Sequence, residues 1–404
     1  MSDVLKPTGN VGDFVHNSQN MASDDGYNCV SKLWYEQTTS LDAGIDQLHD
    51  QRRQREDIDC AIKHMRFGLN NDDQLILEHV DGREFAFTDH AIKQAANWCD
   101  KLSHSFIKRL TAPAVAQNGK VAYERDHGDA ELLLHAFKNG MRRIDADKVF
   151  KFRTYSDGTL RAWLSDRYAP IDNIWYLEQI QALMPNARLS HWKGDADTIY
   201  GNILIPDTVR ERDDSDYGGM ISPGNCEIGR RRFEQYPSVF RAICMNGCIW
   251  DQAKGNIISK VHRGDIDLND LRLKLVENIN KQIPLMGTAV DNFLAIRSHE
   301  VKKSDNLAAV FGVICKENGF SKKQSTAVVE EFVKHESEQR NLFGIVNAIT
   351  RAGQRKEMAN EDWLNFDLVG GQLMSYNDNK WERTRAKANA WTKDEIEKTF
   401  GAAV

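Results

Sequence analysis

The sequence predicts an α+β fold in which antiparallel β-hairpins form a central sheet, helices pack on one side of it and the C-terminal part is helical. Asp81-Gly82 and Asp157-Gly158 each lie between two runs of β-type residues, and Asp-Gly in that position is typical of a hairpin turn. From about residue 267 onwards, apolar residues recur at the spacing of one helix face. Strands in the middle of a chain with helices on its C-terminal side are typical of the α+β class.

The composition limits the classes to which this protein can belong. The 404 residues are 41% hydrophobic and include nine tryptophans and 17 phenylalanines. This excludes a wholly disordered protein and predicts a sizeable core, in two domains or in one large domain with extensions. The net charge of -6 excludes a uniformly basic, histone-like protein but is compatible with nucleic-acid binding through one basic face.

Hydropathy and cysteine usage predict a cytoplasmic protein. No apolar run approaches the length of about 18 residues that a membrane span needs, and the first residues lack the pattern of a secretory signal. The seven cysteines are odd in number and widely spaced. This argues against a disulfide framework and favours a reducing compartment.

The N-terminal third is predicted to contain a tail, an α+β region and a linker. Residues 1–28 are rich in Ser, Asn, Asp and Gly and are expected to form a disordered tail. Residues 29–128 are predicted to form a helix, a hairpin and a second helix, with Asp89 as the N-cap of the second helix. The end of this region, 111–128, is predicted to be a linker.

Residues 129–301 are predicted to form the core α+β domain. A short helix over 129–140 ends at Gly140, which suits a C-terminal cap. A hairpin over 148–168 follows, then a helix stopped by Pro185 and a strand, a turn and a second strand.

The remaining residues, 302–404, are predicted to form a helical C-terminal region. Two helices around Gly319 have the layout of a helix-turn-helix, but glutamates in the second helix would repel phosphates. A plain helical hairpin is therefore the favoured interpretation. Within the predicted core domain, Asn246-Gly247 is a further hairpin-turn signal.

The strongest local signal is a basic segment that runs from Asn225 to Arg263. Cations on a shared face neutralise phosphates, and nearby aromatic side chains can stack on unpaired bases. The competing interpretation is an ordinary solvated face with core aromatics. The candidate nucleic-acid-binding residues of this segment are Arg230, Arg231, Arg232, Arg241, Lys254, Lys260 and Arg263.

A second basic set lies on the predicted 148–168 hairpin. Alternation places Lys151 and Arg153 on one face of the strand and Phe150 and Phe152 on the other. A basic sheet face would suit a groove that follows a nucleic-acid backbone, although a half-solvated hairpin explains the pattern equally well. The residues of this set are Lys148, Lys151, Arg153, Arg161 and Arg167.

Signals for metal binding and catalysis are weak. Cys226, Cys244, Cys248 and His262 lack the closely spaced pairs that zinc sites usually have. Asp-x-Asp pairs occur, but the sequence has no His-Glu-x-x-His, P-loop or Gly-x-Ser-x-Gly motif. We therefore expect no cofactor, no metal and no catalytic residues.

Four short segments in order along the chain resemble the phage/plasmid-like family built around a domain of unknown function. They are "LSDRYAPIDN", "SPGNCEIGRRRF", "FRAICMNGC" and "GIVNAITRAGQR", and together the resemblance covers about 145–375. Cys226 stands where that family commonly has serine, and Met245 where it has threonine. The matching residues are Ser165, Tyr168, Asn225, Glu227, Gly229, Arg241, Cys244, Asn246, Gly247, Asn347, Ala348 and Thr350.

The resemblance implies an accessory protein of a mobile element in the cytoplasm of a bacterial host, with no transferable catalytic mechanism. Together with the basic segment, it predicts a protein that binds nucleic acid, single-stranded DNA above all, and assists recombination, annealing or replication. A homo-oligomer or ring is expected by analogy with phage annealing proteins, and a host or phage protein is a further expected partner. Two alternatives stay open: an inhibitor of a host defence enzyme that mimics DNA, and a metal-dependent nuclease that uses Asp195 and Asp197.

Overall fold

The computed structural model describes most of the chain from residue 38 onwards. The described residues are 38–99, 102–111, 116–117, 120–121, 127–194, 197–211, 215–242, 246–249, 257–355, 358 and 360–401. The predicted tail over 1–28 and most of the predicted linker lie outside them.

Strands and helices alternate along the described chain as far as residue 260, and the elements from Leu268 onwards are helical. The strands are β1 (Thr39–Ser40), β2 (Arg55–Ala61), β3 (Met65–Leu69), β4 (Leu75–His79), β5 (Glu84–Phe87), β6 (Ala116–Gln117), β7 (Lys120–Val121), β8 (Val149–Tyr155), β9 (Thr159–Ser165), β10 (Arg188–Gly194), β11 (Thr198–Leu204), β12 (Arg210–Glu211), β13 (Asp216–Cys226), β14 (Phe233–Arg241), β15 (Asn246–Ile249) and β16 (Ile258–Lys260). The α-helices are α1 (Leu41–Arg53), α2 (Asp89–Ala96), α3 (His104–Thr111), α4 (His127–Met141), α5 (Asn173–Leu183), α6 (Leu268–Gln282), α7 (Met286–Ala295), α8 (Leu307–Glu317), α9 (Lys322–Glu331), α10 (Leu342–Gly353), α11 (Asn360–Met374), α12 (Asp378–Asn389) and α13 (Lys393–Phe400).

The strands form two main sheets. The smaller has the order β2-β8-β9-β5-β4-β3, in which β5 and β9 are parallel and the other pairs are antiparallel. The larger has the order β1-β10-β11-β13-β14-β15, with β12 on β13 and β16 on β14. The α+β class and the helical C-terminal part are confirmed. Because β2–β5 and β8–β9 share one sheet, the predicted boundary at residue 128 does not separate two sheets.

Each sheet packs against its own helices. The smaller sheet buries Phe150, Phe152 and Trp163 together with residues of α2, α3 and α4. The larger sheet packs against α1, α5 and α6 at one end of its length. At the other end, Tyr217 and Val239 join the core of the C-terminal helices. A small apolar contact, which includes Leu164 and Ile228, joins the two sheets and places the β13–β14 turn beside β9.

Local signals differ from the structure at three positions. The N-cap of α2 is Thr88, whose side chain accepts a hydrogen bond from the Ala91 N–H, so Asp89 is the first helical residue instead. Gly140 lies inside α4 and allows close contact with Cys99, because a Cβ there would overlap the Cys99 side chain. Asn246-Gly247 begins strand β15, so that pair does not form the turn itself.

Candidate nucleic-acid interface

A cleft of about 610 Å³ opens where the two sheets meet. Its walls come from α2 and the residues just after it, from the end of β9, from the β13–β14 turn and from the residues just after β16. Aromatic and cationic side chains dominate this lining. The aromatic members are Trp98, Trp163 and Tyr168, and the cationic members are Arg230, Arg231 and Arg232.

The β13–β14 turn brings its arginines to the cleft. Gly229 adopts φ +76°, which favours glycine because a side chain is strained there, and its exchange would also bring a Cβ within 3.2 Å of Leu164. The Ile228 carbonyl accepts a hydrogen bond of 2.8 Å from the Gln94 side chain of α2 and lies 3.0 Å from His90 Nε2. These contacts fix the turn against the smaller sheet, so the three following arginines lie at the cleft.

A second part of the cleft wall is an aromatic pair. The rings of Tyr168 and His262 stack with centroids 5.3 Å apart at 4°. His262 Nε2 lies 2.8 Å from Asn225 Oδ1, while Asn225 Nδ2 donates to the Ile171 carbonyl and to Asn173. Because the Asn225 amide nitrogen has these two acceptors, its oxygen faces His262, and the Nε2 atom carries the proton. Burial lowers the pKa of His262 to about 4, so the ring is neutral at physiological pH.

The exposed cations form a rim around the cleft. Arg230 and Arg232 are exposed on the turn, and Arg167 and Arg263 are exposed next to Tyr168 and His262. An isolated antiparallel bridge between Tyr168 and Arg263 holds these last two segments side by side. Within the described part of the chain, no carboxylate lies within salt-bridge distance of Arg230, Arg167 or Arg263, so their charge is available to an anion. We call these four arginines the rim arginines; Lys260 of β16 is half-buried close by.

Four of the predicted nucleic-acid contacts have buried or paired side chains, and full burial contradicts the prediction for Arg153 and Arg241. Arg153 is fully buried, and so is Arg241, which pairs with the buried Glu336 at 3.2 Å. Arg231 donates to Glu234 at 2.7 and 2.9 Å, which neutralises its charge. Lys151 pairs with Asp59 at 2.9 Å across the sheet.

Two more residues of the second basic set pair with carboxylates. Arg161 pairs with Asp157 at 3.0 Å and lies over the Tyr155 ring at 3.9 Å, and Lys148 pairs with Asp166 at 3.1 Å. The alternation prediction is confirmed, because Phe150 and Phe152 face the core. On the opposite face, Arg153 is covered by Glu227, which follows β13, so Arg153 is not open to a ligand. Lys254 lies outside the described residues.

Beneath the cleft lies a buried ionic network that joins the two sheets. Arg153 donates to both carboxylate oxygens of Asp57 at 2.8 Å and to the Glu227 carbonyl at 2.6 Å. The Glu227 carboxylate accepts from Arg55 and, at 2.6 Å, from the backbone N–H of Asn173. Burial raises the pKa of Glu227 and so does the nearby Asp172 carboxylate, while Arg153 opposes the rise. Glu227, which follows β13 of the larger sheet, thus binds two arginines of the smaller sheet, Arg55 and Arg153.

Five residues of the family resemblance gather around this region. Tyr168 donates to the Glu227 carbonyl at 2.8 Å, Asn225 holds His262, and Ser165 and Gly229 line the cleft. The remaining matches lie elsewhere. In α10, buried Asn347 donates to the Phe343 carbonyl and Thr350 to the Val346 carbonyl, which makes them structural. Asn246 and Gly247 belong to β15, and Cys244 lies outside the described residues.

Sequence reasoning missed three residues of this region. Trp98 follows α2 and is 40% exposed at the cleft. Gln94 bridges the two sheets by donating to Ile228 and accepting from the Trp163 N–H. Arg55 pairs with Asp172 at 3.0 Å and with Glu227. Only Trp98 carried a signal, since a tryptophan at the end of an amphipathic helix is a candidate contact residue.

The described residues show no other recognisable chemical centre. No group of three or more His, Cys, Asp or Glu side chains among them is placed to hold a metal ion, and Asp195 lies outside them. Cys226 and Cys248 are buried as free thiols, and burial raises the pKa of Cys226 to about 11. None of the helices described is long and apolar enough to cross a bilayer.

Comparison of the chain with known protein families, curated proteins and solved structures finds no match. The cleft and the residues that surround it are therefore the features that indicate a function.

The neutral, buried His262 should make stability depend on pH. Its pKa of about 4 lies below the usual 6.5, so the unfolded chain binds the extra proton first and stability is lost as the pH falls through this range. Between pH 7 and pH 5 the loss from this residue should be about 2 kcal/mol. We expect urea denaturation to show that His262→Gln removes this part of the decline.

The control is His135→Gln, which replaces an exposed histidine of α4. It should leave the pH dependence of the free energy of unfolding unchanged. A His262→Gln variant whose stability declines as steeply as that of the unchanged protein would contradict the burial of a neutral ring.

Proposed function

We propose that this protein binds single-stranded nucleic acid, with single-stranded DNA as the preferred ligand, at the cleft between its two sheets. The observation that carries the proposal is the juxtaposition of exposed arginines with aromatic rings in one concave site. Phosphates are neutralised by arginine, and unpaired bases stack on aromatic side chains. A duplex keeps its bases stacked inside the helix, so this combination favours a single strand.

The charge distribution supports the proposal although the net charge is -6. Arg230 and Arg232 are exposed at the cleft, and Arg167 and Arg263 are exposed beside the cleft residues Tyr168 and His262. Glu234, next to the turn, pairs with Arg231 at 2.7 Å and lies 3.8 Å from Arg232, and Arg232 remains exposed. A local positive field can therefore attract phosphates while the rest of the surface stays acidic.

The biological setting is an expectation from the family resemblance. A phage or plasmid accessory protein in the cytoplasm of a bacterial host would use single-strand binding to assist recombination, annealing or replication. Annealing needs no nucleotide hydrolysis, and the sequence has no P-loop. An oligomer or ring would align several such clefts along one strand.

The first experiment measures binding of a fluorescent single-stranded oligonucleotide by anisotropy at two salt concentrations. Four phosphate contacts predict a slope of log K against log salt of about -3 for a single strand. Raising the salt from about 50 to about 200 mM should then weaken binding roughly 50-fold. The double variant Arg230→Glu and Arg232→Glu should lose most of the binding at low salt.

The matched control is the double variant Arg340→Glu and Arg383→Glu, which reverses two exposed charges in the C-terminal helical region. It changes the net charge equally and should bind like the unchanged protein. Absence of binding by the unchanged protein at low salt would overturn the proposed function. Equal losses in the two double variants would show that net charge, and not the rim, governs binding.

A further inference from the structure

The cleft contains a pair of tryptophans in different environments. Trp98 lies at the surface with its ring edge-on to Phe150, the centroids 5.0 Å apart, and the Lys148 ammonium lies 5.6 Å from its centroid. Trp163 belongs to the core of the smaller sheet and is only 2% exposed, yet it also lines the cleft. An exposed ring and a buried ring thus line the same cavity.

The buried indole is not open to a ligand. The Trp163 ring packs in the core of the smaller sheet, with its centroid 5.1 Å from that of Phe150 and 4.7 Å from that of Phe152, and its Nε1 atom is buried. Trp98 is 40% exposed and is therefore the tryptophan ring of the cleft on which a ligand can stack.

We propose that the cleft receives one unstacked base of a single strand, stacked on Trp98, with the flanking phosphates on Arg230 and Arg232. This inference rests on the proposed function and adds the element of the ligand that enters the cavity. Every nucleobase has a flat π-face. The site therefore selects the presence of a base and discriminates little among the four.

The dimensions and the charges favour a base within a strand over a free nucleotide. A volume of about 610 Å³ is in the range of sites that bury a small organic ligand. Arg167 and Arg263 are exposed and adjoin the cleft residues Tyr168 and His262 along the chain. One nucleotide would engage only some of the rim arginines, whereas a strand presents several phosphates.

The test compares two strands with the same phosphates. One is a 12-mer of thymidines and the other is a 12-mer of abasic tetrahydrofuran units, with binding measured by anisotropy at about 50 mM salt. Stacking of one base predicts that the thymidine strand binds about 5- to 150-fold more tightly. Trp98→Ala should reduce this ratio towards one while leaving affinity for the abasic strand unchanged, which also shows that the variant is folded.

Trp163→Phe is the control, because it changes a ring that is only 2% exposed and retains an aromatic side chain in the core. It should bind the thymidine strand and the abasic strand as the unchanged protein does. Thymidine monophosphate, used as a competitor, should displace the strand only at concentrations far above those of the 12-mer. Competition at equal concentration would overturn the assignment to a strand.

The possible failures are distinguishable. Equal affinity for the thymidine and abasic strands, both salt-sensitive, overturns the base pocket and leaves the proposed function standing. A preference for bases that persists in Trp98→Ala also overturns the pocket, because the bases then stack elsewhere. No binding of either strand overturns the proposed function itself.

Discussion

Arg153→Met is expected to lower the free energy of unfolding by about 3–5 kcal/mol. The guanidinium is fully buried and forms a bidentate pair with Asp57 as well as a hydrogen bond to the Glu227 carbonyl. Methionine fills much of the volume but supplies no donor, so the Asp57 carboxylate loses its bidentate partner and the Glu227 carbonyl keeps only the hydrogen bond from Tyr168. Removing one member of a buried pair costs far more than the pair itself contributes.

Urea denaturation of the purified protein measures this loss. The matched control is Lys151→Met, two residues earlier on the same strand, where the pair with Asp59 also crosses to β2 but Asp59 is 62% exposed. Exposed pairs contribute at most about 1 kcal/mol, so the control should unfold nearly as the unchanged protein does. Similar losses in the two variants would contradict the burial of the network.

The same substitution separates a structural role from ligand binding. Because Arg153 has no exposed surface, the folded Arg153→Met protein at low temperature should retain the salt dependence of oligonucleotide binding. A reduced slope without loss of folded structure would show that Arg153 contacts phosphate after all.

Gly371→Ala is expected to destabilise the protein by about 3 kcal/mol or more, which is the upper part of the range for overpacked cores. Helix α11 passes so close to β15 that a Cβ at position 371 would overlap the carbonyl oxygen of Ile249. The obstructing atoms belong to the backbone of a paired strand, so they cannot rotate away as a side chain would. The helix would have to separate from the sheet edge.

Thermal and urea unfolding of Gly371→Ala test this contact. Gly287→Ala is the control: this glycine is also helical and exposed, and no atom lies within 4 Å of its added Cβ. Alanine there should stabilise the protein by up to about 1 kcal/mol, through helix propensity and a smaller entropy of the unfolded chain. If both variants were equally stable, the close approach of α11 to β15 would be wrong.

Local sequence signals predicted those elements whose geometry depends on neighbours along the chain. Gly82 and Gly158 adopt φ of +88° and +77° in turns between paired strands, as the two Asp-Gly signals predicted. Ser321 caps α9 through a capping box with Gln324. Such turns and caps form from contacts within a few residues, so composition and spacing suffice to predict them.

The candidate site was predicted in part. The basic segment supplied the exposed Arg230, Arg232 and Arg263, yet it also included Arg241, which pairs with Glu336 in the core. Charge alone does not distinguish the two fates, because an arginine is exposed or buried according to the elements that pack over it. In the same way, Trp98 was part of a predicted helix, and only the position of the β13–β14 turn makes it one wall of a cleft.

What the sequence alone determined is therefore the α+β class, the main hairpins, the helical C-terminal part and a set of candidate cations. The tertiary structure alone decided that the strands divide into two sheets, that Glu227 and Arg153 join these sheets and that the rim arginines surround one opening. The physical reason is range. Turns and helix faces depend on residues a few positions apart, whereas the burial of Arg153 depends on Glu227, which is 74 residues away along the chain.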